Sequence, residues 1–362
     1  MNNGKNQINT PNINDGDWFS DRNGRFEKDL LIIPFQINFP SDNHIKINGE
    51  EAQFNGHCFE TEIGLRPGKN KVDIVNLTSG YSENIFIYRG DSFEDKYRLS
   101  IDDCIWFLKD INQHKNQYKS IFDNPFLSLF RELNQKYGTK VHFNLFYRTE
   151  GFDLSEMTDQ FKDEWQANSD WIRLSFHAEK EFPDAPYTNA DYQTVAQDCA
   201  NIHREILRFA GKEVMSPVTT VHWGSANLEG CRALKDAGYK ALIGYFNIDN
   251  ELPAVSYYLN SEQIRNIKKK FIWTDNQENL LFIRTSIVID TIKKDDIESH
   301  LTSNKDNDGR LPPFVDFLVH EQYFYPDYFN YQQDYGIRIE TALKWALSNH
   351  YSPEFVEDAF LK

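Results

Sequence analysis

The sequence predicts an α/β protein, a (β/α) barrel with about seven strands that is preceded by a small all-β sandwich. Two observations indicate this fold. Up to about residue 95, short apolar segments are separated by turn residues, as in a sandwich. From residue 97, apolar strands alternate with amphipathic helices, which is typical of βα units around a parallel sheet. A chain of 362 residues, 40% of them hydrophobic, can bury a core in both parts.

The N-terminal part divides into an arm and a sandwich. Residues 1–28 are rich in Asn, Asp and Gly and lack periodicity, so we expect an extended arm there. Residues 29–95 are expected to form the sandwich, because turn signals such as "PSDN" and "RPGKN" separate segments of strand composition. These segments are "LLIIPFQINF", "HIKING", "HCFETEIGL", "NKVDIVNL" and "ENIFIYR".

Residues 97–362 are expected to form the barrel, because strand-like and helix-like segments alternate through them. The strand segments are "YRLSIDD", "KVHFNLFY", "WIRLSFHA", "VTTVHWG", "KALIGYF", "LLFIRTSIVI" and "FVDFLVHE". The helix segments include "NPFLSLFRELNQKYG", "DQFKDEWQANSD", "ADYQTVAQDCANIHREILRFAG", "NLEGCRALKDAGY" and "GIRIETALKWALSNH". Several of the helices are followed by the Gly that favours a helix end.

Charge and hydropathy limit the partners. A net charge of −16 argues against a polyanionic partner, so we expect neither nucleic acid nor an anionic membrane to bind. No apolar run approaches the roughly 18 residues that a membrane span needs. The N-terminus lacks the pattern of a secretion signal, which predicts a cytoplasmic protein, although an exported protein after signal removal would look the same.

Acids and imidazoles follow four of the predicted strands. The first strand ends in Asp102 and Asp103, the third in His177, the fourth in His222 and the last in His320. In βα barrels, the carboxyl ends of the strands carry the reactive groups, so these side chains are expected to converge. The alternative for the Asp pair is a helix N-cap with a solvated neighbour.

One carboxylate with two imidazoles is a ligand set that suits Zn²⁺ or a similar divalent ion. A bound metal lowers the pKa of a water and polarises a carbonyl. The second acid can then accept the proton of that water, and a His can protonate the leaving group. The implied reaction is metal-assisted hydrolysis of an amide or an ester.

Two resemblances extend this interpretation. The stretch from "INGEEAQFNG" to "YSENIFIYR" resembles the immunoglobulin-like modules that are attached to many bacterial carbohydrate-active enzymes. The order of segments after residue 97 resembles the polysaccharide deacetylase superfamily, also called the NodB-homology domain or carbohydrate esterase family four. "SIDDC", "SFHAEKE", "VHWGSA" and "FLVHEQYF" occupy the places of its short motifs.

The resemblance implies roles for individual residues. Asp102 would be the catalytic base, Asp103 and His177 metal ligands, and His320 the catalytic acid. The family has a second metal-binding His four residues after the first, where this chain has Glu181. Either Glu181 or His222 could complete the ligand set, and we favour His222 because imidazole is the better zinc ligand.

The aromatic segment "HEQYFYPDYFNY" is expected to form a wall of rings over the site, although such a loop could equally pack its own rings. Trp223, Tyr323 and Tyr325 are therefore predicted to contact substrate. The sequence thus favours a divergent metal-dependent deacetylase of an N- or O-acetylated carbohydrate, with zinc as the expected metal. The alternatives are a carbohydrate-binding or scaffold protein that has lost catalysis, and a glycoside hydrolase that uses Glu179 and Glu321.

Overall fold

We describe a computed structural model of the chain over residues 10–247, 255–306 and 308–361. The chain forms two compact units. Unit 1 comprises residues up to Glu94 together with Ile272–Asn279, and unit 2 comprises Asp95–Phe271 and Leu280 to the C-terminus. Within the described ranges, no helix is both long enough and apolar enough to cross a bilayer.

Unit 1 is built from two sheets that share one apolar core. Their strands, numbered in chain order, are β1 (Trp18–Phe19), β2 (Arg25–Glu27), β3 (Leu30–Ile37), β4 (Ile45–Ile47), β5 (Glu50–Glu51), β6 (Gln53–Phe54), β7 (Phe59–Leu65), β8 (Gly68–Asn76) and β9 (Tyr81–Arg89). Unit 1 also contains β17 (Ile272–Asp275), much later in the chain, which belongs to neither sheet. One sheet has the order β2-β3-β7-β6 and the other β1-β9-β8-β4-β5. Alternate residues of both sheets point into the core, for example Leu31, Ile33 and Phe35 of β3.

The described part of the predicted arm belongs to these sheets. Trp18 pairs with Tyr88 in a parallel ladder and stacks on its ring at 5.0 Å, while Phe26 pairs with Leu31. The polar composition of residues 1–28 conceals these aromatic anchors, and residues 1–9 lie outside the described part. The return of Ile272–Asn279 to unit 1 also differs from the predicted boundaries, because sequence periodicity carries no signal for so distant a contact. An immunoglobulin-like topology for this unit stays a prediction.

Unit 2 is a mixed α/β structure around parallel strands. Its strands are β10 (Lys96–Cys104), β11 (Val141–Phe146), β12 (Arg148–Thr149), β13 (Phe152–Asp153), β14 (Ile172–Ala178), β15 (Val218–Thr219), β16 (Ala241–Gly244), β18 (Leu280–Arg284), β19 (Ile287–Val288), β20 (Phe314–His320) and β21 (Ser352–Pro353). Its helices are α1 (Trp106–Gln113), α2 (Pro125–Tyr137), α3 (Lys162–Ala167), α4 (Tyr192–Phe209), α5 (Leu228–Asp236), α6 (Ser261–Lys270), α7 (Ile297–Ser303), α8 (Tyr335–Ser348) and α9 (Val356–Phe360).

The parallel strands form two ladders in the described residues, and the closure of these ladders into a barrel stays a prediction. One ladder has the order β14-β11-β10-β20-β19, and the other contains β15-β16-β18. An isolated bridge between Leu174 and Met215 joins β14 to the segment before β15, which is itself two residues long. The predicted strand over residues 280–289 is split at Thr285 and Ser286, so that β18 pairs with β16 while β19 pairs with β20.

The register of the larger sheet places polar side chains in rows. Arg98 lies beside Asp316, and Asp102 beside His320, on the two central strands β10 and β20. Because residues two apart share one face of a strand, Arg98, Ser100 and Asp102 follow each other along the same face. We call this the polar face. Its members are Arg98, Ser100 and Asp102 of β10, His142 and Asn144 of β11, Ser175 and His177 of β14, and Asp316 and His320 of β20.

Candidate metal centre

Asp102 and Asp103 are adjacent in sequence but face different neighbours. The ladder between β10 and β11 shifts register between Ile101 and Cys104, and Asp103 has a left-handed backbone with φ of 62°. Asp is one of the few residues that tolerate this conformation. As a result, the Asp102 carboxylate accepts a hydrogen bond from Asn144, whereas the Asp103 carboxylate meets two histidines.

The structure does not use the Asp pair as a helix cap. Helix α1 begins at Trp106, and its free N–H groups, those of Ile105, Trp106 and Phe107, donate to the Glu321 carboxylate at 2.5 to 2.9 Å. Glu321 is fully buried, and its position directly after β20 brings it beneath this helix end. The capping role that we considered for the Asp pair therefore falls to Glu321.

Asp103, His177 and His222 bring three ligand atoms to one point. The Asp103 Oδ1 atom lies 2.9 Å from His177 Nε2 and 3.1 Å from His222 Nδ1, and the two ring nitrogens lie 3.1 Å apart. His177 comes from the end of β14, and His222 from a short 3₁₀ helix, His222–Gly224, that follows β15. Sequence positions more than 100 residues apart are thus brought together at the carboxyl ends of the strands.

The other nitrogen of each imidazole is already engaged by a backbone carbonyl. His177 donates from Nδ1 to the carbonyl of Thr220, and His222 donates from Nε2 to the carbonyl of Glu181 at 2.9 Å. A neutral imidazole carries one proton, so these bonds leave a lone pair on His177 Nε2 and on His222 Nδ1. Two lone pairs and a carboxylate oxygen that face each other repel unless a cation lies among them.

The electrostatics of the three groups also favour a cation. Burial opposes ionisation of Asp103, yet its contacts with His177 and His222 hold the pKa of the carboxyl well below its usual range. Burial would lower the pKa of His177, but Asp102 and Asp103 outweigh it and raise that pKa. The cluster thus binds positive charge strongly, either as a proton or as a metal ion.

The donor set fits a divalent metal. In a tetrahedral zinc site with metal–ligand distances of about 2.0–2.2 Å, neighbouring ligand atoms lie about 3.3 Å apart. The three edges here, 2.9, 3.1 and 3.1 Å, are close to that spacing. The Asp103 side chain keeps 13% exposure, so the site is open toward solvent on one side. Three protein ligands with an accessible remaining position are typical of catalytic rather than structural metal sites.

Of the two alternatives for the third ligand, the structure brings His222 to the cluster. Glu181 is not among the three converging groups; its backbone carbonyl orients the His222 ring instead. Burial and the nearby Asp103 carboxylate both raise the pKa of the Glu181 side chain.

Asp102 lies on the polar face behind the cluster. Its side chain is 3% exposed, and Asn144 Nδ2 donates to Asp102 Oδ1 at 2.6 Å. Burial raises the pKa of Asp102, although the neighbouring imidazoles of His177 and His320 oppose that rise. A carboxylate in this setting is poised to accept a proton.

His320 faces the same site from β20 and is paired with Asp290. Asp290 Oδ2 accepts from both the Nδ1 and the backbone N–H of His320, at 2.9 and 2.6 Å. Burial would lower the pKa of His320, but Asp290, Asp103 and Asp102 outweigh it and raise the pKa to about 10. The imidazole therefore carries a proton at neutral pH and can donate it from Nε2. Asp290 was not predicted from the sequence, although this residue directly follows the strand segment that ends at Ile289.

The structure gives the predicted carboxylate pair of a glycoside hydrolase other partners. Glu321 caps α1 and is fully buried, and Glu179 forms an ion pair with Arg148 at 2.6 Å. Both carboxylates are thus already engaged by other groups of the protein, which weakens the glycoside hydrolase alternative.

A row of aromatic rings, formed by Tyr323, Tyr328 and Phe329, begins beside His320. Tyr323 lies 5.9 Å from His320 between ring centroids and 5.4 Å from Tyr328, which in turn lies 4.5 Å from Phe329. Phe329 is 83% exposed, although large apolar side chains are usually covered. Trp106, the third residue after Asp103 and the first residue of α1, packs against Tyr328 at 5.9 Å.

The three predicted substrate contacts have different surroundings. Tyr323 belongs to the row of rings, and Trp223 is partly exposed beside His222 at 6.3 Å. Tyr325 instead donates its hydroxyl to Glu321 at 3.0 Å and packs on Trp106, so its polar group is already used within the protein. Tyr328 lies beside Tyr323 but was not singled out from the sequence, because the aromatic segment shows no periodicity that separates inward from outward rings.

Comparisons with known proteins give distant likenesses only. No protein-family model matches the chain, and no curated protein matches it by sequence. Among solved structures, a peptidoglycan N-acetylglucosamine deacetylase has a TM-score of 0.38 and 10% identity, with 75% of this chain and 91% of that chain covered. A protein of Mycobacterium smegmatis assigned as a polysaccharide deacetylase has a TM-score of 0.35 and 9% identity over 72% of this chain and 93% of that one.

A 4-α-glucanotransferase from Thermococcus litoralis has a TM-score of 0.44 and 11% identity over 74% of this chain. This chain spans 40% of the glucanotransferase. At such TM-scores and identities, these likenesses do not bear on the activity of this chain.

Proposed function

We propose that the protein is a metal-dependent hydrolase that removes acetyl groups from an N- or O-acetylated carbohydrate. The observation that carries this proposal is the convergence of Asp103, His177 and His222, with the Asp102 carboxylate on one side and the His320 imidazole, paired with Asp290, on the other. A divalent metal held by the three ligands would polarise the acetyl carbonyl and lower the pKa of a bound water. We expect zinc, because two imidazoles and one carboxylate suit it.

The flanking residues supply the proton transfers of such a hydrolysis. Water adds to the acetyl carbonyl carbon, and Asp102 accepts the proton that the water loses. The bond from that carbon to the sugar nitrogen or oxygen then breaks, and His320 gives its proton to the departing atom. Asp290 holds the His320 ring so that Nε2 remains free for this transfer. The products are acetate and a sugar with a free amine or hydroxyl.

A carbohydrate substrate is supported by the row of rings beside the cluster. Tyr323, Tyr328 and Phe329 offer apolar ring faces next to polar groups, which is how proteins commonly hold sugars. A net charge of −16 disfavours a strongly anionic polymer, so a neutral or cationic glycan fits best.

The proposal is tested by metal analysis together with acetate release. Purified protein should contain about one zinc per chain, and it should release acetate from N-acetylated chito-oligosaccharides or from O-acetylated xylan oligosaccharides. His177→Ala should lose both the metal and the activity. Asp102→Asn should keep the metal and lose activity by about 10² to 10⁴-fold, as expected for removal of a general base. His57→Ala, an exposed histidine of unit 1, is the matched control and should change neither.

Two outcomes would contradict this function. If the wild-type protein binds metal and releases no acetate from any acetylated glycan, the deacetylase assignment fails. If it binds glycans without metal and His177→Ala leaves that binding unchanged, the chain is a carbohydrate-binding protein that has lost catalysis.

A further inference from the structure

A continuous series of hydrogen bonds runs along the polar face below the metal cluster. It begins at the buried ion pair of Arg98 and Asp316, whose nearest atoms are 2.8 Å apart, and it ends at Asp102. Every member is 3% exposed or less. Polar groups are costly to bury unless each of them is hydrogen-bonded, as these are. A row of so many buried polar groups indicates a role beyond packing. In order, the members are Asp316, Arg98, His142, Ser175, Asn144 and Asp102.

Arg98 fixes the direction of the series because its guanidinium can only donate. Its Nε and Nη2 lie 3.3 and 3.2 Å from His142 Nδ1, which must therefore accept. Burial, Arg98 and Arg173 hold the pKa of His142 well below its usual range, so the ring is neutral and carries its one proton on Nε2. That proton is donated to Ser175 Oγ at 2.8 Å.

The remaining bonds continue in the same direction. Ser175 Oγ accepts a hydrogen bond from His142, and it donates its own hydrogen to Asn144 Oδ1 at 2.6 Å, which is nearer than Thr219 Oγ1 at 3.4 Å. This fixes the amide of Asn144 with its nitrogen toward Asp102, to which it donates at 2.6 Å. From Arg98 to Asp102, each bond thus points toward Asp102, whereas the bond from Arg98 to Asp316 points the other way. Turning the Asn144 amide would place its oxygen against the Asp102 carboxylate, an acceptor facing an acceptor.

We propose that Asn144 and Ser175 are positioning residues that hold the Asp102 carboxylate in one orientation through this one-way series of donors. The inference rests on the proposed function, in which Asp102 receives the proton of the attacking water. Asn144 donates a hydrogen bond to Asp102 Oδ1. This bond fixes the rotation of the carboxylate and therefore the direction in which its second oxygen points. Ser175 and His142 do not touch the reacting atoms; they act by preventing the Asn144 amide from turning.

The chain offers a matched pair of variants for the test. Ser175 and Ser100 are both buried serines on the polar face, and each lies two residues before a group of the site on its own strand. Ser175 Oγ is a link of the series, whereas Ser100 Oγ has no hydrogen-bond partner among the described residues. Ser175→Ala and Ser100→Ala therefore remove the same atom from similar surroundings, and only the first breaks the series.

Kinetics with a fully N-acetylated chito-oligosaccharide form the first measurement. Ser175→Ala should lower kcat about 10-fold, with KM and zinc content near those of the wild type, and Ser100→Ala should stay within about twofold of the wild type. Asn144→Leu, which removes the donor itself, should lower kcat further than Ser175→Ala. Equal effects of the two serine variants, or a parallel loss of zinc and kcat in Ser175→Ala, would overturn the proposal.

Nitrogen-15 NMR of the His142 imidazole forms the second measurement and does not depend on activity. At neutral pH, wild-type His142 should be neutral with the proton on Nε2, and Ser175→Ala but not Ser100→Ala should move the Nε2–H signal. A proton on Nδ1, alone or in a doubly protonated ring, would set a donor of His142 against the donors of Arg98 and overturn the proposal. Absence of acetate release by the wild type would instead contradict the proposed function, and the imidazole signals would then decide the series alone.

Discussion

The interior of unit 1 and the polar face of unit 2 are both buried, yet they are built from opposite kinds of residue. The core of unit 1 consists of aliphatic and aromatic side chains such as Phe35 and Ile74. The polar face places Arg98, Asp316 and His142 at similar depth. Burying apolar surface stabilises a fold without directing any single atom, whereas a hydrogen-bonded polar group is fixed in direction. The difference indicates that stability dominates in the first region and orientation of the site in the second.

The ion pair at the base of the polar face should give the largest effect on stability. Arg98→Met leaves Asp316 buried without its cation, and we expect a loss of about 3–5 kcal/mol in the free energy of unfolding, because an uncompensated buried charge is costly. The measurement is urea denaturation of metal-loaded protein. Arg98→Met with Asp316→Leu should cost less than Arg98→Met alone. A double variant that is less stable than the single one would show that the pair itself, rather than the orphaned charge, supplies the stability.

The apolar core should respond differently to truncation. Ile74→Ala removes a fully buried side chain of β8, and we expect a loss of about 2–5 kcal/mol in unfolding free energy from lost burial and a residual cavity. Zinc content and acetate release of the folded protein should not change. If Ile74→Ala altered kcat as Ser175→Ala is expected to, the division of roles between the two regions would be wrong.

The two regions also differed in how far the sequence predicted them. Strand segments were predicted in both because apolar alternation is local, and Asp102, Asp103, His177, His222 and His320 were expected to converge because parallel strands end at one edge. The remaining members of the polar face were missed, since these residues lie within strands and meet only through register. One signal was available: "RLSIDD" alternates Arg98, Ser100 and Asp102 with apolar residues, which is unusual for a strand buried on both sides.

Asp290 and the split of the strand over residues 280–289 show two further limits. Asp290 satisfies the rule that selected Asp102, an acid directly after a predicted strand, but no motif drew attention to it. The break at Thr285 depends on a contact outside the segment, because the Thr285 hydroxyl donates to Asp316 at 2.9 Å. Composition cannot indicate which of two sheets a continuous apolar run will join.

The pH dependence of stability separates the two regions in one experiment. The pKa of His320 is raised from 6.5 to about 10 in the folded protein. Its contribution is therefore complete below about pH 6.5 and is lost as the pH rises through about 10, since the folded state holds the proton more tightly than the unfolded state. In metal-free protein, we expect the stability difference between the wild type and His320→Gln to narrow by about 1–2 kcal/mol from pH 7 to pH 10.

The control for this pH series comes from the apolar core. The difference between the wild type and Ile74→Ala should be independent of pH, because no titratable group is changed. A difference that widens toward pH 10 for His320→Gln would mean that Asp290 does not stabilise the imidazolium.

The smallest expected effect is that of removing an apolar side chain that belongs neither to the core of unit 1 nor to the polar face. Phe329 lies at the outer end of the row of rings and is 83% exposed, so its removal should hardly change stability. If the row binds sugar rings, Phe329→Ala should raise KM for a chito-oligosaccharide about three- to tenfold with kcat unchanged, because a stacking contact contributes about 0.5–1.5 kcal/mol. Leu347→Ala, an exposed apolar residue of α8, is the control and should leave KM unchanged. An unchanged KM in Phe329→Ala, or equal changes in the two variants, would mean that the outer rings pack among themselves. Substrate would then be recognised closer to the metal cluster, where Trp223 lies beside His222 and Tyr323 beside His320.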